Sequence, residues 1–447
     1  MKRQIQPVRE IGGTISVPGD KSISHRAVLF SLLSEGPIRI SNFAGNADCY
    51  TSLDAVKKLG VIVEKDGEEF ILTPPEQFTV EPETIIDCGN SGTTARLLSG
   101  LLAGLSHRVI LTGDASLSRR PMKRVIDPLS KMGAELLSDE GTLPLTVIGK
   151  KLLPFEYQME VPSAQVKSAL LLAGIASGCT TAVRELQLSR DHTELMVDAI
   201  GEGITTNEIK PVLQQDERDP RKKKMVMPEK YKKEIIVGPN TKIKGGEIDV
   251  PGDFSTAAFF MAVAAISKQT VTIANVGLNP TRTGFITHLK NIGCKVIVSD
   301  RQQISGELRG TVTVTGASLK ARKVSGEAIV GMIDELPLVA VLGAFADGTT
   351  IIRDAEELRV KESDRLSATV ENLQKMGVNC GLLEDGLAVE GKTDLSGADF
   401  VSHGDHRIAM AFSVAALFLD GPSSIDDDSV VGISCPEFYE ILESICS

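Results

Sequence analysis

The chain has 447 residues, room for about two or three domains with cores of their own, and carries 48 Lys plus Arg against 59 Asp plus Glu, a formal charge of -11. That balance argues against a nucleic-acid partner held by phosphate neutralisation, and zero Trp with four Tyr leaves few rings for stacking bases. Seven scattered Cys with no C-x-x-C read as reduced thiols, MKRQIQP lacks the apolar stretch of a secretory signal, and no uncharged apolar run approaches the ~18 residues that span a bilayer. A cytoplasmic protein with no membrane partner is expected.

Residues 5–17 read as a hairpin around Gly12-Gly13. The next segment, VPGDKSISHRAVLFSLL from Val17, returns as VPGDFSTAAFFMAVAAI from Val250. Weaker relatives are CGNSGTTARLLSGLLAG from Cys88, VPSAQVKSALLLAGIAS from Val161, IDELPLVAVLGAFADG from Ile333 and HGDHRIAMAFSVAALFLDG from His403. These make six units at intervals of roughly 70–90 residues, the size of a supersecondary block. Each opens with residues suited to a helix N-terminus and continues apolar nearly all round, which predicts a buried helix.

After each buried helix comes a β-like run, such as IRISNF from Ile38, RVILTG from Arg108 or TVTIANV from Thr270. A second, amphipathic helix ending in Gly follows, clearest in SLDAVKKLG from Ser52 and SATVENLQKMG from Ser367. Strand pairs then turn at Asp66-Gly67 and Asp385-Gly386. The sixth unit ends in PEFYEILESIC with no strands after it, so the N-terminal strands are expected to complete it. The predicted fold is α/β and two-lobed. Each lobe has three β-α-β-α-β-β units with the helices inside, an inside-out α/β barrel, and the site lies in the cleft between lobes. Residues 21–243 form one lobe and 1–20 plus 244–447 the other, with crossings near Asp20 and Lys244. The mixed-charge stretch 207–233 reads as a solvated loop or hairpin, with a basic docking surface as the alternative.

Cations crowd the helix starts: Lys21, His25 and Arg26; Arg96; Arg119, Arg120, Lys123 and Arg124; Lys167 and Arg190; Arg282; Lys361 and Arg365; His406 and Arg407. Helix N-termini are already electropositive, so this placement calls for an anion. Arg120 with Arg124, and Lys361 with Arg365, are four apart and are expected to share helical faces, repelling by about 0.2–0.5 kcal/mol without a counter-anion. Neutralisation by Glu357, Glu362 and Asp364 is the other reading of the latter pair.

Other sites are excluded or disfavoured. Pro18-Gly19-Asp20-Lys21-Ser22 lacks P-loop spacing, and Gly89-Asn90-Ser91-Gly92 does not give G-x-G-x-x-G. His403 and His406 have no third partner at metal-ligand spacing, so no metal is expected. Cys88 reads as a buried, inert thiol.

The motifs PGDKSISHRA, GNSGTTARL, SRRPM, PSAQVKSALLLA, SRDHTE, DELP, RVKESDRL and GDHRIAM run through almost the whole chain, and with them it resembles the 5-enolpyruvylshikimate-3-phosphate synthase family of enolpyruvyl transferases. The resemblance implies transfer of the carboxyvinyl group of phosphoenolpyruvate to the 5-hydroxyl of shikimate 3-phosphate, with no metal or organic cofactor, on the way to chorismate. By motif, Lys21, Ser22, Arg26, Ser163, Ala164, Gln165, Arg190, Asp334 and Lys361 hold shikimate 3-phosphate. Lys21, Gly92, Thr93, Arg120, Gln165, Arg365 and Arg407 surround phosphoenolpyruvate, with Arg120 preferred over Arg119 because it precedes Pro121. Asp334 is implied as the base for the hydroxyl, with a helix N-cap as the bland alternative, and Glu362 or Lys21 as the donor at carbon. Gly92 lacks a methyl that would intrude on the phosphoenolpyruvate pocket, which implies glyphosate sensitivity. The VGISCP segment from Val431 lacks a Lys that some members place there. The sister transferase acting on UDP-N-acetylglucosamine would show Lys-Asn and a loop Cys where this chain has Lys21-Ser22 and Ala115. A non-catalytic binder of anionic sugars would keep the Arg residues without needing Asp334 and Glu362. A monomer that opens and closes is the expected assembly.

Overall fold

Helices that are apolar on every face have no side to give to water, and the fold is built round them. The computed structural model describes residues 1–446 apart from 82, 211, 217, 218, 227 and 228, with the strands Val212–Asp216 and Asp219–Val226 described by their backbone. Along the chain the helices are α1 Lys21–Phe30, α2 Ala47–Lys58, α3 Gly92–Ala103, α4 Lys123–Lys131, α5 Ala164–Ser177, α6 His192–Ile200, α7 Phe254–Ser267, α8 Gly284–Asn291, α9 Glu327–Val330, α10 Leu336–Ala344, α11 Arg365–Lys375, α12 His406–Ala416 and α13 Phe438–Ser444. Every residue of α10, and every residue of α7 from Phe254 to Ala265, is buried. Their small residues let backbones meet: a Cβ added at Gly100 of α3 would lie 2.1 Å from the Ala169 carbonyl oxygen of α5.

The units repeat one sheet. Thr84–Asp87 pairs in parallel with Arg108–Thr112, which pairs antiparallel with Leu145–Ile148, and that strand with Glu135–Ser138. Three further sheets repeat this first, second, fourth, third order, and the first unit's sheet does so with the later strand Gly246–Asp249 in the place of the first. The sixth is shorter, Asp399–Phe400, Ser423–Ile425 and Arg3–Ile5.

The N-terminal segment is not a hairpin. Arg3–Ile5 pairs with Ser423–Ile425, whereas Gly12–Ser16 runs parallel to Thr270–Gly277 in the fourth unit's sheet. Each strand closes an edge whose backbone groups would otherwise lack partners, which pairing the two together would leave open.

The first and fourth units exchange strands. Gly246–Asp249, which precedes α7, pairs in parallel with Ile38–Ser41 of the first unit. Gly246–Asp249, beyond the expected crossing near Lys244, thus lies in the first unit's sheet. The two VPGD segments meet at the crossing: the Asp20 amide donates to the Pro251 carbonyl and the Asp253 amide to the Pro18 carbonyl, both at 2.8 Å. A Cβ at Gly19 would lie 1.8 Å from the Asn42 carbonyl oxygen, so a side chain there would push the crossing apart. Asp20 and Asp253 then cap α1 and α7 by accepting from the Ile23 and Thr256 amides, each cap worth about 1 kcal/mol.

Buried apolar side chains form two clusters. One runs from Ile23 to Val250; the other joins Ile5, Ile11 and Val17 to Phe254 and the residues after it. The charged stretch contains an antiparallel pair, Val212–Asp216 with Asp219–Val226. The alternative of a basic docking surface falls mainly on side chains of 211–228, outside those described; of the rest, Lys232 pairs with Glu327 and Lys233 with Asp191. Among the described residues no helix is long and apolar enough to cross a membrane.

Candidate active site

The helix starts converge on a cavity of about 550 Å³ lined by residues between Lys21 and Arg190 and between Gly326 and Arg407. The first turn of α1 contributes Lys21 and Ser22, that of α3 Gly92 and Thr93 with Arg96 one turn on, and that of α5 Ala164 and Gln165 after its cap Ser163. From the other side come Asp334 on the 3-10 turn before α10, Lys361, Glu362 and Arg365 at the start of α11, and His406 and Arg407 at the start of α12. N-terminal amides and cations thus face one space, an arrangement that favours anions.

Asp334 is the centre of the charge pattern. It does not cap α10, whose N-cap residue is Glu335 with no side-chain cap bond. Its carboxylate pairs with Arg190, which precedes α6, with Arg365 Nη1 at 3.5 Å and with Arg407 Nη2 at 3.5 Å. Burial alone would raise its pKa, but Arg407, Arg190, Lys361 and Arg365 together hold it well below the usual carboxylate range. For Glu362 burial likewise pushes up, and Arg365, His406, Arg120 and Lys21 outweigh it, leaving the group ionised. At both carboxylates the cations outweigh desolvation. Burial also opposes the Lys21 charge, yet Asp48, whose Oδ2 is 2.6 Å from Nζ, and Glu362 hold its pKa above the ordinary value.

The two arginine and lysine pairs spaced four apart do not share helical faces. Arg120 is extended (ψ 140°) before Pro121, and α4 starts only at Lys123; Lys361 is extended (ψ -151°), and α11 starts at Arg365. The proline explains the first, because it drives its predecessor out of helical geometry. Their counter-charges reach across the cavity instead: Arg120 to Glu362 at 3.7 Å and Arg124 to Glu357 at 3.4 Å, with Lys361 on the same Glu357 at 2.9 Å.

Arg96 differs. It makes no ion pair among the described residues; Nη1 donates to Gln165 Oε1 at 2.9 Å and Nη2 to the Pro121 carbonyl at 3.2 Å. Burial, with Arg124 and Arg120 beside it, lowers its pKa to about 10. Gln165 is in turn fixed by donating to Thr93 Oγ1 at 3.1 Å. The Ser163 oxygen accepts from the Val166 amide at 3.4 Å, which leaves its hydroxyl proton free for a ligand.

Most residues assigned by motif therefore meet: Lys21, Ser22, Gly92, Thr93, Arg120, Ser163, Ala164, Gln165, Arg190, Asp334, Lys361, Glu362, Arg365 and Arg407 all line the cavity. Arg26 does not. It is buried, with Nε on Thr193 Oγ1 at 2.8 Å, Nη2 on Ser168 Oγ at 2.9 Å and Nη1 on the Ser22 carbonyl at 2.9 Å. Among the other helix-start cations, Lys167 pairs internally with Glu185 and Glu194, and Arg282 with Asp20. Arg119 is exposed while Arg120 lines the cavity. The motif assignment left out Arg96, Arg124 and His406, which the helix-start cations had included, Glu357, read there as a counter-charge, Ser189, which opens SRDHTE, and Gln187, which no sequence signal marked. His403 bonds Glu371 at 2.9 Å, away from His406, and residues 431–436 stay outside the lining. Burial, with Asp87 nearby, pushes the Cys88 thiol up to about 12.

Buried histidines set a pH dependence. Burial pulls His25 well below 6.5, His288 to about 4 and His406, with Lys21 adding to the effect, to about 3. Each therefore binds a proton near pH 6.5 only in the unfolded chain, so stability falls on acidification by up to about 1.4 kcal/mol per pH unit per histidine. The depressed carboxylates Asp334, Glu362 and Asp405 add to the loss only below about pH 4.5, where the unfolded chain protonates them. Urea midpoints are expected to decline from about pH 6.5 downward; a midpoint constant to pH 5 contradicts this.

The family model for EPSP synthase (3-phosphoshikimate 1-carboxyvinyltransferase) matches residues 5–442. The chain is 43% identical over 438 residues to a 3-phosphoshikimate 1-carboxyvinyltransferase of Anaeromyxobacter sp. (strain Fw109-5), covering 97% of this chain and 96% of that protein. It is 40% identical over 450 residues to the protein so named in Bacillus velezensis, covering 100% and 99%. Among solved structures, an EPSP synthase from Acinetobacter baumannii superposes with a TM-score of 0.82 at 36% identity, over 100% of this chain and 98% of that one. The enolpyruvyl transferase NikO from Streptomyces tendae shares the fold, with a TM-score of 0.74 at 17% identity over 99% and 96%. With a family model matched over residues 5–442 and full-length relatives at 40% identity or more, the chain belongs to the EPSP synthase (3-phosphoshikimate 1-carboxyvinyltransferase) family.

Proposed function

We propose that the protein transfers the enolpyruvyl group of phosphoenolpyruvate to the 5-hydroxyl of shikimate 3-phosphate, releasing phosphate, in the cytoplasm and as a monomer of two lobes divided as its two apolar cores are. The observation that carries this is Asp334, an ionised carboxylate ringed by Arg190, Arg365 and Arg407 in a cavity where two anionic molecules can meet.

Shikimate 3-phosphate lies against Lys21, Ser22, Ser163, Ala164, Gln165, Arg190 and Lys361, with its 5-hydroxyl at Asp334. Contact with Arg26 would require Nη1 to leave the Ser22 carbonyl. Phosphoenolpyruvate lies among Lys21, Gly92, Thr93, Arg120, Gln165, Arg365 and Arg407. Its anionic groups take over cations now held by Glu357, Glu362 and Asp334, and so raise the pKa of the last two towards values useful for moving protons. Asp334 takes the hydroxyl proton as the oxygen bonds to C2 of phosphoenolpyruvate, while Lys21 or Glu362 gives a proton to C3. In the second step the group that gave the proton takes one back from C3, the double bond re-forms and phosphate departs, its charge met by the arginines, as preorganised cations best do. Ligand-driven contraction of the two lobes follows, because the anions bridge cations from both.

Phosphate release tests the function: it is expected with both substrates together and absent with either alone, and no release from the pair contradicts it. A more local test is Gly92→Ala. The new Cβ would lie 2.7 Å from Arg96 Nη1 and 3.6 Å from Arg120 Nη1. Arg96 can shift its flexible end, so the fold survives while the phosphoenolpyruvate side of the cavity narrows. The KM for phosphoenolpyruvate is expected to rise about tenfold, roughly 1.4 kcal/mol, with that for shikimate 3-phosphate unchanged. Inhibition by glyphosate, expected in the wild type, weakens in parallel.

A further inference from the structure

Glu335 is a buried carboxylate beside the cavity that the proposed chemistry does not use. It is 3% exposed, does not line the cavity, and makes no cap for α10 although it stands at the N-cap position. Its Oε1 lies 3.8 Å from Arg407 Nη1 and accepts a hydrogen bond from the Ser255 hydroxyl. Ser255 is free to donate because its oxygen already accepts from Arg282 Nη2 at 2.7 Å. Arg282 Nη1 in turn bonds Asp20, the cap of α1 at the crossing of the two VPGD segments. The Asp20, Ser255 and Arg282 side chains are buried as deeply as Glu335.

A continuous line of polar contacts thus runs from the helix start that carries Lys21, under the cavity floor, to Arg407. The other side of that guanidinium meets Asp334: Nη2 is 3.5 Å from its carboxylate and Nη1 donates to its backbone carbonyl at 3.3 Å. Arg407 is therefore balanced between two carboxylates, one facing the cavity and one beneath it. Buried networks of this kind fix position when every member has its partner.

We infer that Glu335 is a positioning residue for the reaction: it holds the Arg407 guanidinium between Asp334 and phosphoenolpyruvate and, through Ser255 and Arg282, ties that position to the chain crossing that carries Lys21. The inference rests on the proposed placement of phosphoenolpyruvate at Arg407. Burial, reinforced by Asp334 and opposed by Arg407, raises the Glu335 pKa above the ordinary value, as suits a group whose charge is only just balanced. Without the Glu335 charge, Arg407 turns wholly to Asp334, which loosens its hold on phosphoenolpyruvate. The loss of a neighbouring negative charge also makes Asp334 easier to ionise.

Steady-state kinetics of Glu335→Gln, Glu335→Asp and Ser255→Ala, varying each substrate with the other saturating, test this. In Glu335→Gln the KM for phosphoenolpyruvate is expected to rise about tenfold, that for shikimate 3-phosphate to stay within about twofold, and the acid limb of kcat to move to lower pH. Glu335→Asp restores part of the loss, and Ser255→Ala gives a smaller rise for the same substrate. A merely structural role would lower the melting temperature and leave both KM values and the pH profile as in the wild type, which overturns the inference, as does an equal rise in both KM values. If Glu335→Gln does not fold, Ser255→Ala decides: a rise confined to phosphoenolpyruvate supports the inference and wild-type constants overturn it. A wild-type protein inactive on both substrates overturns the underlying function, whereas an active wild type with unchanged variants overturns this inference alone.

Discussion

Asp334→Asn is expected to lower kcat by about 10²–10⁴-fold, the range for removing a positioned general base, while the protein still folds. The amide keeps the shape of the carboxylate but cannot take the hydroxyl proton. Arg190 and Arg407 lose their shared counter-charge, yet both border the cavity, where water and ligand anions can replace it. The KM for shikimate 3-phosphate should therefore change far less than kcat. Phosphate release at saturating substrates measures the effect; turnover within tenfold of the wild type in a folded variant shows that Asp334 is not the base.

Arg365→Met is expected to destabilise the protein by about 3–5 kcal/mol, the cost of breaking a buried ion pair by removing one partner. Arg365 is 1% exposed and serves three carboxylates: Nε is 2.7 Å from Asp405, Nη2 is 2.6 Å from Glu362 and Nη1 is 3.5 Å from Asp334. Met fills much of the volume, so the loss is electrostatic rather than a cavity. Asp405 suffers most, since it is fully buried and also caps α12 by accepting from the Arg407 amide at 2.9 Å. Urea unfolding at pH 7 measures this; a loss under about 1 kcal/mol would show that water or a neighbouring cation compensates the three carboxylates.

The six-unit plan was legible because its signs are local. Helices apolar on all sides, Gly after the amphipathic ones and short β-branched runs each depend on neighbours in sequence, and the structure places strands at the runs beginning Ile38, Arg108 and Thr270. Strand exchange was not legible. Gly12–Ser16 chooses a partner some 260 residues away, and a local reading of Gly12-Gly13 can only offer a turn. Spacing misled where it assumed a helix that had not begun, at Arg120 and Lys361.

Direction on a helix explains the cations that missed the cavity. Arg26 follows Lys21 by five residues, about 140° round the helix at 100° per residue, so α1 turns it towards Ser168 and Thr193 while Lys21 faces the cavity. The same geometry could have been applied to the sequence. The partners of Arg120 and Arg124 could not, since Glu362 and Glu357 lie more than 200 residues away along the chain and are brought near only by the whole fold.

The account rests on those cations being assembled for ligand anions, with the present carboxylate contacts as their partners until ligands arrive. A crystal structure with shikimate 3-phosphate and phosphoenolpyruvate tests it most directly. Two phosphate groups are expected within the cavity, with Arg120, Arg190 and Arg407 turned from Glu362 and Asp334 towards them. Phosphate groups bound elsewhere on the protein, or these arginines still paired as they are now, would contradict it.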